Sequence, residues 1–231
     1  MMGKENLCRK YEQVLASCPL LAGIPAAEYE KTLHFLCGKW QRLGKHEIFQ
    51  RLDEPFRYAG IVVTGCIEGA FLNENDAKIA VSRFGAGEFF GEALGCVQPA
   101  HSPIQLEALE DSLVILVDLS ILQRPQGEST AMTYKLAQNL IRGLAAQNVY
   151  QNRKVRILSQ KKLRDRIGIF LGEMLRQPDG AIRVELTTTA MAEFLGVNRS
   201  ALSRELGAMQ DEGLLRIEGR RYFLLRPEGA R

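Results

Sequence analysis

Arg199, Ser200, Ser203 and Arg204 recur on one side of a helical repeat, while Leu202, Leu206 and Met209 recur on the other. The first set carries two guanidinium groups and two hydroxyls, with little bulk. Those residue types at that spacing suit a helix lying in a DNA major groove, where an arginine fork meets guanine and a hydroxyl reads base edges loosely. Arg204 is the expected guanine contact. Asn198 is placed to cap this helix, and Thr187, Thr188 and Thr189 are placed to cap a shorter one before it. Thr188 is also expected to face DNA. Gly196 supplies the positive φ that ends the shorter helix, and Val197 buries the turn. Two amphipathic helices around a glycine turn also occur in proteins without a DNA partner, so the pattern needs support from elsewhere in the chain.

Part of that support is a second basic feature. Residues 214–226 read as two short strands around 218–221, with Arg220 and Arg221 at the tip, where they are expected near phosphates. Two helices and a turn followed by such a hairpin make a winged helix. The net charge of +3 is unevenly spread. Residues 1–149 hold 14 Lys and Arg against 17 Asp and Glu, whereas residues 150–231 hold 16 against 10. Positive charge gathered in one part of a chain favours a polyanion there.

The elements that must position these residues follow from periodicity. Residues 5–17 and 26–38 are expected to be helical, with Pro19 and Pro25 between them. Short β-type runs follow at 59–64, 67–72, 78–84, 104–109 and 113–117, with a polar turn at 73–76 and glycines between. Such strands suggest a small antiparallel barrel or sandwich. A break at 125–127 precedes a long helix over 128–159. On it Leu136, Leu140, Gly143, Gln147 and Tyr150 recur at spacings of four and three, a stripe expected to pair with its copy in a dimer rather than cross a core. Residues 153–166 read as a hinge, and a further helix over 161–175 turns Ile167, Phe170, Leu171 and Met174 inward. No run of 18 apolar residues suggests a membrane span, and the start lacks an apolar export signal, so a cytoplasmic location and no membrane partner are expected. Five cysteines without a CxxC pair suit a reducing compartment. The β region has no HxH pair or acid cluster to hold a catalytic metal, and no enzyme activity is expected.

The order of parts resembles the Crp/Fnr transcription regulators. The resemblance covers nearly the whole chain, and its most specific pieces are GAGEFFGEAL at 85–94 and GVNRSALSREL at 196–206. It implies an α+β chain: a double-stranded β-roll of the cyclic-nucleotide-binding, jelly-roll kind over 1–127, a long dimerisation helix over 128–159, and a winged helix-turn-helix domain over 160–231. It further implies a homodimer on near-palindromic double-stranded DNA, a small-molecule effector held between the roll and the long helix, and work with RNA polymerase, as an activator rather than a repressor.

Effector residues are carried over position by position. Gly91 and Glu92 match the roll turn that holds the ribose in cyclic-AMP-binding members. The Arg-Ser pair that binds the cyclic phosphate is matched by Ser102 and Pro103. Without that Arg the charged, two-pronged hold on a phosphate is lost, and Pro103 has no amide to donate, so cyclic AMP is not the expected effector. Gln147 and Asn148 sit where relatives contact their effector from the dimer helix. The oxygen-sensing branch holds an iron–sulfur cluster on closely spaced cysteines, whereas Cys8 and Cys18 are ten apart, and Cys37, Cys66 and Cys96 lie further along. His34, His46 and His101 are isolated, so neither that cluster nor haem is expected, and no cofactor is assigned. In the recognition helix the family's Ser-Arg end is kept as Ser203 and Arg204, but Ser200 replaces a glutamate that reads cytosine, and Glu205 occupies a position commonly apolar. Two alternatives stand beside this reading: a redox-responsive regulator using cysteine thiols, and a cyclic-nucleotide-binding protein that does not touch DNA.

Overall fold

The computed structural model describes residues 4–72, 78–123 and 131–225. The chain divides into two compact units, residues 1–146 and 147–231. The turn expected at 73–76 and the break at 125–127 lie outside the described residues.

The first unit opens with α1 (Lys4–Lys10) and α2 (Glu12–Ser17), then short 3-10 turns at Pro19–Leu21 and Ala26–Glu28, then α3 (Tyr29–Phe35). The single helix expected over 5–17 is in fact two, interrupted at Tyr11. Nine segments follow: β1 (Lys39–Leu43), β2 (Ile48–Gln50), β3 (Ala59–Thr64), β4 (Ile67–Leu72), β5 (Lys78–Phe84), β6 (Phe89–Phe90), α4 (Glu92–Val97), β7 (Gln105–Ala108) and β8 (Ser112–Val117). The strands form two four-stranded antiparallel sheets, ordered β1-β8-β3-β6 and β2-β7-β4-β5. This is the β-roll expected from the resemblance.

Strand β3 shows how the roll is organised. Its sequence AGIVVT is apolar without alternation because both faces are covered. Ile61 and Val63 join Leu15, Leu21, Leu33 and Leu36 of the N-terminal helical segment in one core. Val62 turns the other way, into a core with Phe56, Ile67, Phe90 and Leu106. Phe90 packs against Phe49 and Phe84, with ring centroids 5.9 Å apart in each pair, so aromatic side chains fill the interior of the roll.

The long helix is α5 (Ala131–Leu158). Leu136 is fully buried among the N-terminal helices, and Leu140 packs on the same core. Asn139 is buried beside them, and its side-chain amide donates to the carbonyls of Leu20 and Ala22, at 2.9 and 2.8 Å. Near the other end, Tyr150 stacks edge-on against Phe194, 5.9 Å between centroids. Leu136 and Leu140 of the stripe expected to pair with another copy are thus spent on the chain's own core, whereas Gly143, Gln147 and Tyr150 of the same stripe are exposed. The exposed apolar residues Tyr134, Ile141, Val149 and Val155 lie on the opposite face.

The second unit holds the last turns of α5, then α6 (Leu163–Gly172), β9 (Ile182–Arg183), α7 (Thr188–Phe194), α8 (Arg199–Asp211), β10 (Leu215–Glu218) and β11 (Arg221–Leu224). Its core gathers Ile157, Ile167, Phe170, Leu171, Met191 and Leu195 with Leu202, Leu206 and Met209 of α8. The stretch 153–166, expected as the hinge, holds the end of α5 and the start of α6. Ile157 is fully buried, Arg153 and Arg156 pair with Glu173 at 2.6 and 3.0 Å, and Arg166 donates to the carbonyls of Gln160 and Leu195. Strands β10, β11 and β9 form a small antiparallel sheet. The compact division falls inside α5, a helix the sequence reading had set apart as a segment of its own.

Candidate nucleic-acid interface and roll turn

Helix α7 starts at Thr187, whose hydroxyl accepts from the Ala190 amide at 3.1 Å. It stops at Gly196, φ +69. Asn198 caps α8, its side-chain oxygen accepting from the Ala201 amide at 2.7 Å. With both ends fixed and Leu202, Leu206 and Met209 buried, Arg199, Ser200, Ser203 and Arg204 are left exposed on the outward face of α8. Neither Arg199 nor Arg204 is in an ion pair among the described residues. Ser200 is partly engaged: its hydroxyl donates to the Asn198 side chain at 2.8 Å, so only its lone pairs face outward. Thr188 is half-buried at the first turn of α7.

Glu205, the residue out of place for an apolar position, has a partner that sequence spacing could not reveal. Arg164 on α6 donates to it from Nε at 2.9 Å and reaches Glu212 with both terminal nitrogens at 3.0 Å. The guanidinium holds the Glu212 carboxyl below the usual carboxylate range. A charged clamp thus fastens α6 to the middle of α8 and to the residue that caps its C-terminal end.

The hairpin turn has two residues, Gly219 and Arg220, since Glu218 pairs directly with Arg221. Gly219 has φ +63 and Arg220 does not have positive φ, the pattern of a turn that favours glycine first. Arg220 is exposed, 3.6 Å from Glu185. Arg221 has partners that the sequence did not reveal. Its guanidinium pairs with Asp179, lies 3.8 Å from Glu218 and rests over the Phe223 ring. The Ala181 amide, and then Arg221, hold the Asp179 carboxyl below its ordinary range. Arg221 ties the wing to the loop before β9 through a half-exposed ion pair.

In the roll, Gly91 precedes α4 with φ +71, and a Cβ there would meet the Phe56 ring at 2.8 Å. Glu92 follows, half-buried, and burial raises its carboxyl pKa. Ser102 is buried, but its hydroxyl donates to the Ile104 carbonyl at 2.7 Å and accepts from the Ile104 amide at 3.3 Å. It locks a turn, and its hydrogen is not available to an effector. Gln147 and Asn148 are exposed on α5, with Asn152 donating to Asn148 at 2.8 Å. Burial pushes the Cys18 thiol up to about 11, and burial also raises Cys8 and Cys96, which disfavours the thiolate that redox chemistry needs. Among the described residues no group of three or more His, Cys, Asp or Glu is placed to hold a metal ion, and no helix is long and apolar enough to cross a membrane.

Comparison with known proteins gives these parts their names. The cyclic nucleotide-binding domain profile matches residues 40–124, and the Crp-like helix-turn-helix domain profile matches residues 165–229. Electron transport regulator A of Shewanella oneidensis is 24% identical over 187 residues, which cover 78% of this chain and 72% of that protein. The fumarate and nitrate reduction regulatory protein of Escherichia coli K12 is 25% identical over 164 residues, covering 68% of this chain and 63% of that protein. Among solved structures, the Thermus thermophilus catabolite activator protein shares the fold with a TM-score of 0.53 at 18% identity, over 89% of this chain and 93% of that one. The regulator CLP of Xanthomonas campestris does so with 0.51 at 20% identity, over 85% and 99%. With a cyclic nucleotide-binding domain match ahead of a Crp-like helix-turn-helix match, and with similarity to regulatory proteins along the chain, this protein belongs to the Crp/Fnr family of DNA-binding transcription regulators.

Proposed function

We propose that the chain works as a homodimer on a near-palindromic duplex, each α8 entering one of two major grooves about 34 Å apart. The observation that carries this is the outward face of α8: Arg199, Ser203 and Arg204 are exposed, and neither arginine is paired among the described residues. Arg204 contacts guanine through its donor fork, and Arg199 and Ser203 read or hold the neighbouring edge. Thr188 and Arg220 approach phosphates. Arg221 serves the wing's own structure. The exposed face of α5, with Tyr134, Ile141, Val149 and Val155, is the surface a second copy covers, and Asn148 lies along it as an interhelix polar residue.

The effector is a small molecule bound at the Gly91–Glu92 turn of the roll. Burial disfavours charge on Glu92, and positions 102 and 103 offer no cation, which together suit a ligand that donates hydroxyl or amine hydrogens over one led by a phosphate. Such a ligand changes DNA binding only through its different affinity for two arrangements of the dimer. The DNA-bound dimer activates transcription by contacting RNA polymerase in the cytoplasm.

The test is fluorescence anisotropy on a selected duplex and on an unrelated one. Arg204→Ala is expected to cost about 1–3 kcal/mol on the selected duplex and little on the other. Equal affinity of mutant and parent for the selected duplex contradicts the assignment.

A further inference from the structure

We infer that the N-terminal helical segment carries a second small-molecule site, separate from the roll turn, and that it takes a small zwitterion with an apolar side chain, the chemistry of a free amino acid. The site is a cavity of about 350 Å³ between α1, α3 and the start of β1. That volume falls within the range of small-ligand pockets. Its lining combines the Trp40 ring and Leu33 with Glu30, Lys31 and His34 of α3. A recess of about 320 Å³ shares Cys8, Ala27 and Glu30 with it and adds Arg9 and Glu12. The Trp40 ring is itself held by Tyr11, 6.1 Å between centroids.

Charge pattern selects the ligand class. Glu30 and Glu12 are negative, and Lys31 and Arg9 are positive. None of the four is in an ion pair among the described residues, although elsewhere in the chain charged neighbours on adjacent elements pair repeatedly. Unpaired charges of both signs beside an aromatic wall match a molecule with an ammonium group, a carboxylate and an apolar body. A purely anionic ligand leaves the two acids facing it, and a purely cationic one leaves the two bases.

Position makes occupancy consequential. Glu30, Lys31 and His34 stand on the outer side of α3. From the same helix Thr32 donates to the Met132 sulfur at 3.2 Å, and Leu33 shares a core with Leu136, so α3 lies between the cavity and the first turns of α5. A ligand drawn onto α3 therefore bears on the element that the exposed face of α5 belongs to.

Trp40 is the chain's one tryptophan, so its emission, excited at a wavelength that spares tyrosine, reports the cavity directly. The full-length chain is titrated with L-leucine and L-phenylalanine, and with isoamylamine and 4-methylpentanoate, which each lack one charge of leucine. The expected result is a saturable change with a zwitterion, weakened about tenfold when either charge is missing. Glu30→Gln is expected to abolish the advantage of the amine, and Lys31→Met that of the carboxylate. Ala27→Leu, which fills the shared wall at an exposed position and removes no charge, is expected to abolish the response while the melting temperature stays within a few degrees of the parent. No saturable response up to about 10 mM, ten times a 1 mM constant, overturns the inference. So does an equal response to leucine and its two single-charge analogues, or a response unchanged in Ala27→Leu. Because the readout involves no DNA, its failure leaves the reading of α8 untouched, and the converse holds.

Discussion

At the scale of single residues, the arginines of the DNA-binding unit divide by what already holds them. Arg199 and Arg204 point outward and are in no ion pair among the described residues, Arg220 lies 3.6 Å from Glu185, Arg164 holds Glu205 and Glu212, and Arg221 pairs with Asp179. That division gives distinguishable outcomes. Arg220→Ala is expected to weaken all duplexes alike and to reduce the slope of log affinity against log salt by about one, as loss of one phosphate contact does. A changed sequence preference contradicts the phosphate role. Arg221→Ala is expected to lower the melting temperature while leaving that salt slope unchanged; a lowered slope restores Arg221 to the phosphate contacts. Sequence alone marked both arginines as equals at a hairpin tip. It could not separate them because the partner, Asp179, lies 42 positions away.

At the scale of elements, legibility followed local constraint. Strands β3, β4 and β5 lie where their apolar runs and flanking glycines placed them. Strands β1, β2 and β6 were not read. The first, KWQRL, carries two charges in five residues, and the others have three and two residues, too short to show a period. Helix α4 hid in a stretch that reads as glycine turns. The stripe read on α5 divides, since periodicity reveals a stripe but not which surface covers each part of it. Leu136 and Leu140 serve the chain's own core, and the copy-facing surface proposed above is the exposed side that carries Ile141 and Val155. Ile141→Asp with Val155→Asp is therefore expected to yield folded monomers in sedimentation velocity, because both side chains are exposed in the single chain. A dimer of parental affinity contradicts this.

The roll's second sheet carries a related element-scale prediction. Glu68 and Glu107 lie directly opposite each other on β4 and β7, a repulsive pair. Lys78 of β5 bridges them at 2.7 and 2.6 Å, with Arg83 on Glu68 and His46 on Glu107. The hydrogen bond from Lys78, helped by these neighbours, lowers both carboxyl pKa values. Groups whose folded pKa is depressed contribute stability above the ordinary carboxylate range and lose it as pH falls through their folded values. The urea midpoint is thus expected to fall between pH 6 and about pH 3.5, and by less in Lys78→Met, which already lacks the bridge at pH 6. An identical fall in that variant rules out the network as the cause.

At the scale of the whole molecule, the proposed function depends on duplication: one recognition helix reads too few bases to select a site, and two at a fixed spacing multiply the selection. The most direct test is selection of bound duplexes from a random-sequence pool by the purified chain, at low salt and with candidate effectors present, followed by sequencing. The expected result is enrichment of two inverted half-sites whose centres lie about 10 base pairs apart, lost in Arg204→Ala. Enrichment of a lone half-site, or none at all, contradicts a dimer that reads DNA through α8.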